Sequence, residues 1–350
     1  KMVDCMFCAA MGPPGGGRSN ITPRYQRHFN MLSVVEFDNH NLSKIFETVM
    51  GWYLGKESFP ENIVAMCKPT ISATIEVYST VMAQLLPTPT KSHYTFNLRD
   101  IARVMQGLLL VKQKQIGKGS GGKEKFLRLW THEILRVFYD RLVDDADRAW
   151  FLDFMRGTFK THFEDELDRV FRNLTDGKPV EVDDLRRLFF GDYMSDEEEL
   201  KKKEYDEVLD VEACQSKMEE FLTDHNATSK RPMNLAIFLY AVEHISRICR
   251  VLKQPGGHML NVGLGGSGRQ SLTRLSAYIC GMETFQIEIS KSYTPNEWRE
   301  DLKRFTKAAG STNTSAVFLF SDSQIKYESF VEDINNLLNS GEVPNMFPYD

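Results

Sequence analysis

Long hydrophobic runs are absent from this sequence of 350 residues. A helix that crosses a bilayer needs roughly 20 consecutive, mainly apolar residues, and no run of about 18 occurs. The sequence therefore predicts a soluble chain without a membrane partner. It also begins at Lys1, with neither an initiator methionine nor the hydrophobic centre of a signal peptide. We therefore expect a piece of a longer protein.

An excess of positive charge is also absent. The 43 lysines and arginines are outnumbered by 48 acidic residues, which gives a net charge of −5. A general nucleic-acid binder neutralises phosphates with clustered Lys and Arg side chains, so no nucleic-acid partner is expected. Apolar residues make up 42% of the chain and charged residues 26%, as in globular proteins. The length predicts roughly two or three domains.

Cysteines are few and scattered, six in all. This usage predicts reduced thiols and a cytoplasmic protein. Cys5 and Cys8 form a C-x-x-C pair, but no second pair or nearby histidine completes a zinc site. We therefore interpret Val3–Ala10 as a buried strand rather than a metal site.

Three regions of different character follow one another along the chain. Residues 1–37 combine a short apolar strand, the Gly/Pro loop Gly12–Arg18, a basic segment and a second strand at Phe29–Val35. This pattern is typical of the end of an α/β unit. From Leu42 to Leu222, apolar residues recur every three or four positions, which predicts an all-helical middle.

Two polar segments interrupt the helical pattern. Lys112–Lys125 is rich in glycine and lysine, which predicts an exposed, mobile loop, with contact to an acidic partner as the alternative. Ser195–Glu207 places acidic residues before basic ones, which favours the start of a solvated helix.

A glycine-rich loop carries the chemistry. His258–Val262 is predicted to be a strand, and Leu272, Leu275 and Ile279 to lie on one face of a helix that Gly281 ends. Between them, backbone N–H groups and the helix dipole can form an anion site that only small residues leave open. A plain glycine turn is the alternative. The candidate nucleotide-binding residues are Gly263, Gly265, Gly266, Ser267, Gly268, Arg269, Gln270 and Ser271.

The downstream pattern favours a phosphate site over a plain turn. Thr284–Ile289 is predicted to be a strand, and a capped helix follows that begins at Thr294 and ends at Gly310. Ala316–Phe320 is an apolar run typical of a central parallel strand, and it ends at Ser321-Asp322. In the order βαβαβ, P-loop NTPases place their Mg²⁺-binding carboxylate at this strand end.

The loop departs from G-x-x-x-x-G-K-[ST] in two places. Arg269 replaces the lysine, so phosphate contact is expected with altered geometry. Gln270 occupies the position of the Mg²⁺-binding hydroxyl, and Ser271 lies one residue further on. At the strand end, either Ser321 replaces the Mg²⁺ aspartate and Asp322 is the catalytic acid, or Asp322 is the Mg²⁺ residue and Ser323 stands where the catalytic base should be. Asp322 and Gln270 are the candidate Mg²⁺ ligands, and we expect binding with little hydrolysis.

These motifs resemble those of the dynein heavy chains, most closely the axonemal inner-arm type. Gly263–Leu275 resembles the phosphate loop of the fourth AAA+ module of that family, including the arginine in place of lysine, and Val317–Phe347 resembles its Walker B region. Ala9–Phe29 is similar to the sensor I and arginine-finger stretch of the third module. His93–Gly107 is similar to the sensor II helix of the lid, and Leu129–Leu142 to the helix after it.

The resemblance implies the fold class α/β plus all-α. An AAA+ P-loop NTPase unit, a parallel sheet with flanking helices, is preceded by a helical AAA+ lid subdomain. Residues 1–37 become the C-terminal end of the α/β subdomain of the third module. Residues 38–225 become its helical lid with connecting helices, and residues 226–350 the N-terminal half of the α/β subdomain of the fourth module.

The resemblance also assigns roles to three arginines outside the loop. Arg99 falls on the sensor II arginine, and Arg24 or Arg27 on the finger that reaches the nucleotide of the neighbouring module. A surface or interdomain salt bridge is the alternative for each. Gly12 lies where an active module often has a polar sensor I side chain.

The function implied is that of a fragment of the AAA+ ring of a microtubule-based dynein motor in cilia. Its expected cofactors are ATP or ADP with Mg²⁺. Its expected partners are the other AAA+ modules of the same heavy chain and, through the full-length protein, the dynein intermediate and light chains and microtubules. The family's microtubule-binding stalk lies beyond Asp350, so this chain is not expected to bind microtubules by that route. The expected location is the cytoplasm, the cytoskeleton and the cilium axoneme.

Two other functions stay open at this point. A structural interaction module would carry the same glycine loop without a ligand. A stand-alone P-loop NTPase would need its own sensor and finger residues after Asp350. Because the finger of the next module is absent, we do not expect hydrolysis by this chain alone.

Overall fold

The structure is a computed structural model of the chain. It describes residues 3–12, 20–35, 37–117, 120–175, 177–195, 203–229, 231–312 and 315–347.

Helices dominate the described residues. In chain order they are α1 (Pro23–Gln26), α2 (Asn39–Lys56), α3 (Glu61–Val64), α4 (Cys67–Gln84), α5 (Leu98–Leu108), α6 (Gln113–Ile116), α7 (Ser120–Ile134), α8 (Asp145–Phe163), α9 (Leu167–Val170), α10 (Arg172–Thr175), α11 (Val211–Thr228), α12 (Leu239–Lys253), α13 (Arg269–Ile279), α14 (Pro295–Thr312) and α15 (Glu328–Ser340). A π-helical segment, Leu135–Tyr139, continues α7, and 3₁₀ turns cover Asp184–Arg187 and Asp322–Gln324. No helix within these residues is both long and apolar enough to cross a membrane.

Four short strands form two separate pairs. Strands β1 (Phe189–Gly191) and β2 (Asp206–Val208) run antiparallel, with Phe189 opposite Val208. Strands β3 (Glu283–Phe285) and β4 (Ala316–Phe318) run parallel, with Phe285 opposite Phe318. The parallel pair confirms the prediction for the segments at 284–289 and 316–320, although both strands are shorter than predicted.

The first 35 residues differ from the prediction. Val3–Ala10 and Phe29–Val35 were both expected to be strands, but both are irregular, and most of their apolar side chains are exposed. A strand is stable only when a neighbour completes its hydrogen bonds, and no described residue pairs with either segment. The prediction of two strands is therefore wrong for this structure. Residues 13–19, which hold most of the predicted Gly/Pro loop, lie outside the described residues.

The helical middle is confirmed in its main elements. The first core cluster contains Ile71 and Val81 of α4, Ile101 and Val104 of α5, and Trp130 of α7. These side chains repeat at the helical spacing, so burial of one face stabilises each helix. On α2, however, the buried residues are Leu42, Met50 and Leu54, whereas the apolar repeat Ile45, Val49 and Trp52 is exposed.

The predicted loop at Lys112–Lys125 is largely helical instead. Gln115 and Ile116 are buried within α6, and α7 begins at Ser120; residues 118–119 lie outside the described residues. Two of the lysines pair with acids near β2: Lys114 lies 3.4 Å from Glu204 and Lys125 lies 2.6 Å from Asp206. Lysines that sequence alone assigns to solvent therefore pack the segment against the chain, and the expectation of an exposed loop is wrong.

The expectation of an all-helical middle fails at the antiparallel pair. Consecutive residues of a strand point to opposite faces. Phe189 accordingly lies in the second core cluster and Phe190 in the first, and both are fully buried. Asp206 and Glu207 belong to β2 and not to the predicted helix start, whose residues 196–202 lie outside the described residues.

Buried polar contacts join α7 to α12. Glu133, at the end of α7, accepts two hydrogen bonds from Arg250 of α12, and the Nε of Arg250 lies 2.8 Å from Oε2 of Glu133. The hydroxyl of Tyr205 donates to the same carboxylate at 3.1 Å, and Nδ1 of His132 also lies 3.1 Å from it. The helical region is thus tied to α12, which packs directly against α13 in the second core cluster.

The segment around the parallel strands has its own core. Trp298 and Leu302 of α14 are buried with Phe330 of α15, and the Trp298 ring stacks on Phe330 at 4.3 Å. The predicted cap of α14 is confirmed: the backbone N–H of Thr294 donates to Glu297 at 2.7 Å, and the N–H of Glu297 donates to the Thr294 hydroxyl at 3.3 Å. The helix ends at Thr312, two residues beyond the predicted stop at Gly310.

The predicted strand His258–Val262 is not formed. It is irregular, and Leu260 and Val262 are 88% and 84% exposed. Within the described residues, β3 and β4 pair only with each other, so no ladder reaches this segment. The βαβαβ order therefore lacks its first strand here, whereas the helix predicted after the loop is confirmed from Arg269 to Ile279.

Candidate nucleotide-binding site

The glycine-rich loop leads directly into α13. Gly268 caps the helix at φ +77° and Gly266 has φ +83°, both in the left-handed region that favours glycine. The backbone N–H of Ser267 donates to the carbonyl oxygen of Leu264 at 3.3 Å, which closes a tight turn. The loop thus presents its glycines beside the free N–H groups of a helix N-terminus.

The space around the glycines is uneven. A Cβ on Gly263 would lie 3.0 Å from the Oγ of Ser267 and 3.6 Å from the Cδ of Arg269. A Cβ on Gly265 or Gly266 would meet no atom within 4 Å. The loop is therefore close-packed at its first glycine and open at its centre, where an anion can approach the backbone.

The Ser267 hydroxyl lies against the first glycine of the loop. Its oxygen is buried and has no hydrogen-bond partner among the described residues. Buried hydroxyls nearly always have a partner, because an unmade bond costs about 1–3 kcal/mol. The hydroxyls of Thr70, Thr175 and Ser276, which lie outside the loop, are also buried without a partner among the described residues, so this feature alone does not separate a phosphate site from a plain turn.

Arg269 adds a positive charge at the same place. It is the first residue of α13, it is half-buried, and its stem passes Gly263. Within the part of the chain that the structure describes, no carboxylate lies within salt-bridge distance of its guanidinium. A polyphosphate would supply that missing charge partner.

Gln270 fits a magnesium ion less well than the sequence suggests, because its amide oxygen has other partners. The amide oxygen of Gln270 is 3.5 Å from both Arg274 and Gln286, and Arg274 donates to Gln286 as well. Gln270 therefore links the start of α13 to the residue that follows β3. Ser271 is half-buried on the next position of the helix.

The second part of the site is the turn after β4. Ser321 is half-buried, and Asp322, which begins a 3₁₀ turn, is exposed with its Oδ1 accepting the N–H of Ser323 at 3.0 Å. Gln324 was not among the predicted site residues. Its amide oxygen accepts from the N–H of Ser321 at 2.7 Å, and its Nε2 donates to the carbonyl oxygen of Ile287 at 2.5 Å.

The register of the parallel pair places the start of α13 and the turn after β4 at the same edge of the sheet. Because Phe285 lies opposite Phe318, the carboxyl ends of β3 and β4 point to the same side. Gln270 contacts Gln286 and Gln324 contacts Ile287, so the start of α13 and the Asp322 turn both attach to the same end of β3. Among the described residues, no hydrogen bond or ion pair joins Asp322 to residues 263–271.

The three predicted arginines lie outside this cluster. Arg24 is in α1, Arg27 directly follows it, and both are exposed; Arg27 contacts His28 at 3.5 Å. Arg99 is exposed in the first turn of α5, and its backbone N–H donates to Asn97 at 2.9 Å. None of the three pairs with an acidic residue in the described ranges, so the salt-bridge alternative finds no support there.

No metal site of protein side chains alone accompanies the loop. Within the described residues, no group of three or more His, Cys, Asp or Glu side chains is arranged to hold a metal ion. Cys5 and Cys8 are both free and exposed. Any magnesium at this site would therefore take most of its ligands from the nucleotide and from water.

Three family profiles match successive parts of the chain. Residues 1–37 match the P-loop containing dynein motor region. Residues 53–148 match the ATPase lid domain of the dynein heavy chain. Residues 233–350 match the P-loop containing dynein motor region D4. Together with the helical middle and the parallel pair, these matches confirm the predicted fold class, an AAA+ P-loop unit preceded by a helical lid.

Curated relatives align over the whole chain. It is 48% identical to mouse dynein axonemal heavy chain 3 and 47% identical to the human protein, each over 349 residues and 100% of this chain. It is 44% identical to rat dynein axonemal heavy chain 1 over 360 aligned residues. The chain spans about 8% of the length of these relatives. It therefore belongs to the axonemal dynein heavy chain family, as a segment of the P-loop motor region.

Proposed function

We propose that this segment binds ATP or ADP at the loop of residues 263–271 and keeps it as a structural or regulatory nucleotide. The observation that carries the proposal is the pair Gly266 and Gly268, both in left-handed conformation directly before α13, with open space at the centre of the loop. The N–H groups at the start of α13 supply complementary charge for phosphate. Arg269, which has no carboxylate partner among the described residues, adds a positive charge beside them.

Magnesium accompanies the nucleotide in this proposal. Asp322 is the candidate acidic ligand, because it is exposed at the strand edge where α13 also begins. Gln270 is a weaker candidate than the sequence suggests, since its amide oxygen already faces Arg274 and Gln286. The metal would neutralise phosphate charge, and Asp322 would help to hold the ion in place.

Slow hydrolysis follows from the same residues. Catalysis at a P-loop needs a magnesium held by a hydroxyl and a carboxylate, and a further group that aligns the attacking water. Here position 270 has no hydroxyl, and the Ser321-Asp322 pair offers one carboxylate. The site therefore suits long retention of nucleotide rather than rapid turnover.

The module boundaries, the roles of the three arginines and the partners are proposed from the similarity to the dynein heavy chains. We propose the division into residues 1–37, 38–225 and 226–350, with Arg99 facing the nucleotide of its own module and Arg24 or Arg27 reaching that of a neighbour. In the full-length heavy chain the segment would contact the other AAA+ modules. Intermediate and light chains and microtubules would be partners through the whole protein, in the cytoplasm and the ciliary axoneme.

Nucleotide titration of the chain tests the proposal. Gly266→Val places a branched side chain at φ +83° in the open centre of the loop, so binding of ADP and ATP should fall at least about tenfold. Gly177→Val is the matched control, because Gly177 has φ +84°, has open space around it and lies in the helical region. No binding heat at millimolar nucleotide, or equal binding by the Gly266→Val variant, would show that the loop is empty and favour a structural interaction module.

A further inference from the structure

The side chain of Gln324 joins the ends of the two parallel strands. It is only 6% exposed, although it lies in a turn next to exposed residues. Its amide oxygen accepts from both the N–H and the hydroxyl of Ser321, at 2.7 and 3.1 Å. Its Nε2 donates to the carbonyl oxygen of Ile287, which lies just beyond β3.

The partners fix which way the amide of Gln324 faces. The backbone N–H of Ser321 can only donate, and the carbonyl of Ile287 can only accept. The amide oxygen must therefore face Ser321 and the NH₂ group must face Ile287. A carboxamide is the side chain whose length and two ends satisfy both partners at once.

This orientation also determines the role of the Ser321 hydroxyl. Its proton is used in the bond to Gln324, so the Ser321 oxygen can only accept from other groups. The neighbouring Ser323 hydroxyl, 3.0 Å away, is then the donor in that contact, and one acceptor site on Ser321 remains. An oxygen that only accepts resembles a carboxylate oxygen in this respect, without its charge.

We infer that Gln324 is a positioning residue of the nucleotide site, which holds Ser321 as an oxygen acceptor for the magnesium nucleotide. Magnesium prefers oxygen ligands and usually keeps several bound waters. An oxygen that only accepts can either bind the ion or accept a hydrogen bond from one of its waters. Gln324 also holds the turn that carries Asp322 against β3, to which α13 attaches through Gln286. This inference rests on the proposed function, because it assigns a role only in the presence of bound nucleotide.

The test compares nucleotide affinity with and without magnesium in the full-length heavy chain. The probe is fluorescent ADP, and the signal of this site is the part that Gly266→Val abolishes. Gln324→Leu removes all three hydrogen bonds of the amide. The gain in affinity on adding magnesium should therefore fall about tenfold, while affinity in EDTA stays within about twofold. A purely structural role would lower affinity in both conditions.

Ser321→Ala makes the test independent of whether Gln324→Leu folds. It removes the acceptor itself and should reduce the magnesium-dependent gain by a similar factor. Because Gln324 acts through Ser321, adding Gln324→Leu to Ser321→Ala should cause little further loss. The matched control is Gln115→Leu: Gln115 is also buried and also bonds at both ends of its amide, to Lys112 and Glu204, but it lies in α6.

The outcomes separate the two proposals. If the unmodified protein and the Gly266→Val variant bind fluorescent ADP equally, the proposed function is wrong. If it binds ADP with a magnesium-dependent gain that Ser321→Ala leaves intact, the nucleotide site stands and the role of Gln324 is refuted. Equal losses from Gln115→Leu and Gln324→Leu also refute that role.

Discussion

Glu133 and Arg250 form an ion pair in the protein interior, although they are 117 residues apart in the sequence. Both side chains are at most 5% exposed. Burial alone raises the pKa of Glu133, but the charge of Arg250 and the contact with His132 outweigh it and lower that pKa to about 2. The pair therefore remains charged at neutral pH and fastens α7 to α12.

Removal of one partner of this pair should be costly. Arg250→Met leaves the Glu133 carboxylate buried without its counter-ion, so the free energy of unfolding should fall by about 3–5 kcal/mol in urea denaturation. Combining it with Glu133→Leu should restore much of the loss. The control is Arg231→Met, since Arg231 and Glu288 form an exposed pair worth at most about 1 kcal/mol. Equal effects of Arg250→Met and Arg231→Met would contradict this account.

Stability should decline in mild acid because of His132. Burial lowers the pKa of His132 to about 4, whereas the unfolded chain takes up this proton near the ordinary value of 6.5. The unfolded state thus binds more protons between these values, so stability present above about pH 6.5 is lost as the pH falls towards 4. The slope from this group approaches about 1.4 kcal/mol per pH unit.

Substitution of the histidine should flatten this profile. His132→Asn removes the titrating ring, and urea unfolding at several pH values measures the change in slope. His40→Asn replaces an exposed histidine and should leave the slope intact. His244, whose pKa burial also lowers, acts in the same direction and is present in both variants. An unchanged profile in the His132→Asn variant would show that another group controls the acid response.

The buried Glu133 carboxylate leaves no room for a side chain at Gly107. A Cβ at this position of α5 would overlap the carboxylate of Glu133, which Arg250 holds in place. Gly107→Ala should therefore destabilise the chain by about 1–3 kcal/mol despite the better helix propensity of alanine. Gly51→Ala in α2, where no atom lies within 4 Å, should instead raise stability by up to about 1 kcal/mol. Thermal unfolding of the two variants distinguishes these cases; a stabilised Gly107→Ala would mean that Glu133 moves aside easily.

Arg99 should matter for nucleotide and not for stability. It is exposed, and no acidic partner lies among the described residues, so Arg99→Ala should change the unfolding free energy by less than about 0.5 kcal/mol. In the full-length motor it should weaken nucleotide binding in its own module about tenfold. Arg103→Ala is the control on the same helix, because Arg103 pairs with Asp100 at 3.4 Å. Full nucleotide affinity after Arg99→Ala would limit this residue to a surface role.

Hydrolysis at the loop should be recoverable by design. Arg269→Lys, Gln270→Ser, Ser321→Asp and Asp322→Glu together restore the groups that P-loop catalysis uses, so phosphate release in the full motor should rise by about tenfold or more. Adding Gly266→Val should abolish the increase, which assigns it to this site. Rapid phosphate release from this site in a single turnover of the unmodified motor would refute the argument, because it would show that one carboxylate and an arginine are enough.

Local signals predicted the long helices and the glycine-rich turn before α13, whereas the loop predicted at Lys112–Lys125 is largely helical. The Thr294–Glu297 cap and the limits of α13 depend on residues only a few positions apart, so they can be predicted from the sequence alone. The failed strands, such as His258–Val262, depend on a neighbour that sequence periodicity does not supply. The contact between Glu133 and Arg250 could not be predicted for the same reason. Gln324 could have been found, because Ser321 followed three residues later by Gln is a capping-box pattern.

Phe189 and Phe190 link two hydrophobic cores through one strand. They are adjacent, yet each completes a different hydrophobic core, so loss of this one strand would expose a phenyl ring from both. A shift of the strand by a single residue would exchange the two rings between the cores. The helical region and the part of the chain that contains α12 and α13 therefore share this strand, so burial of one ring favours burial of the other.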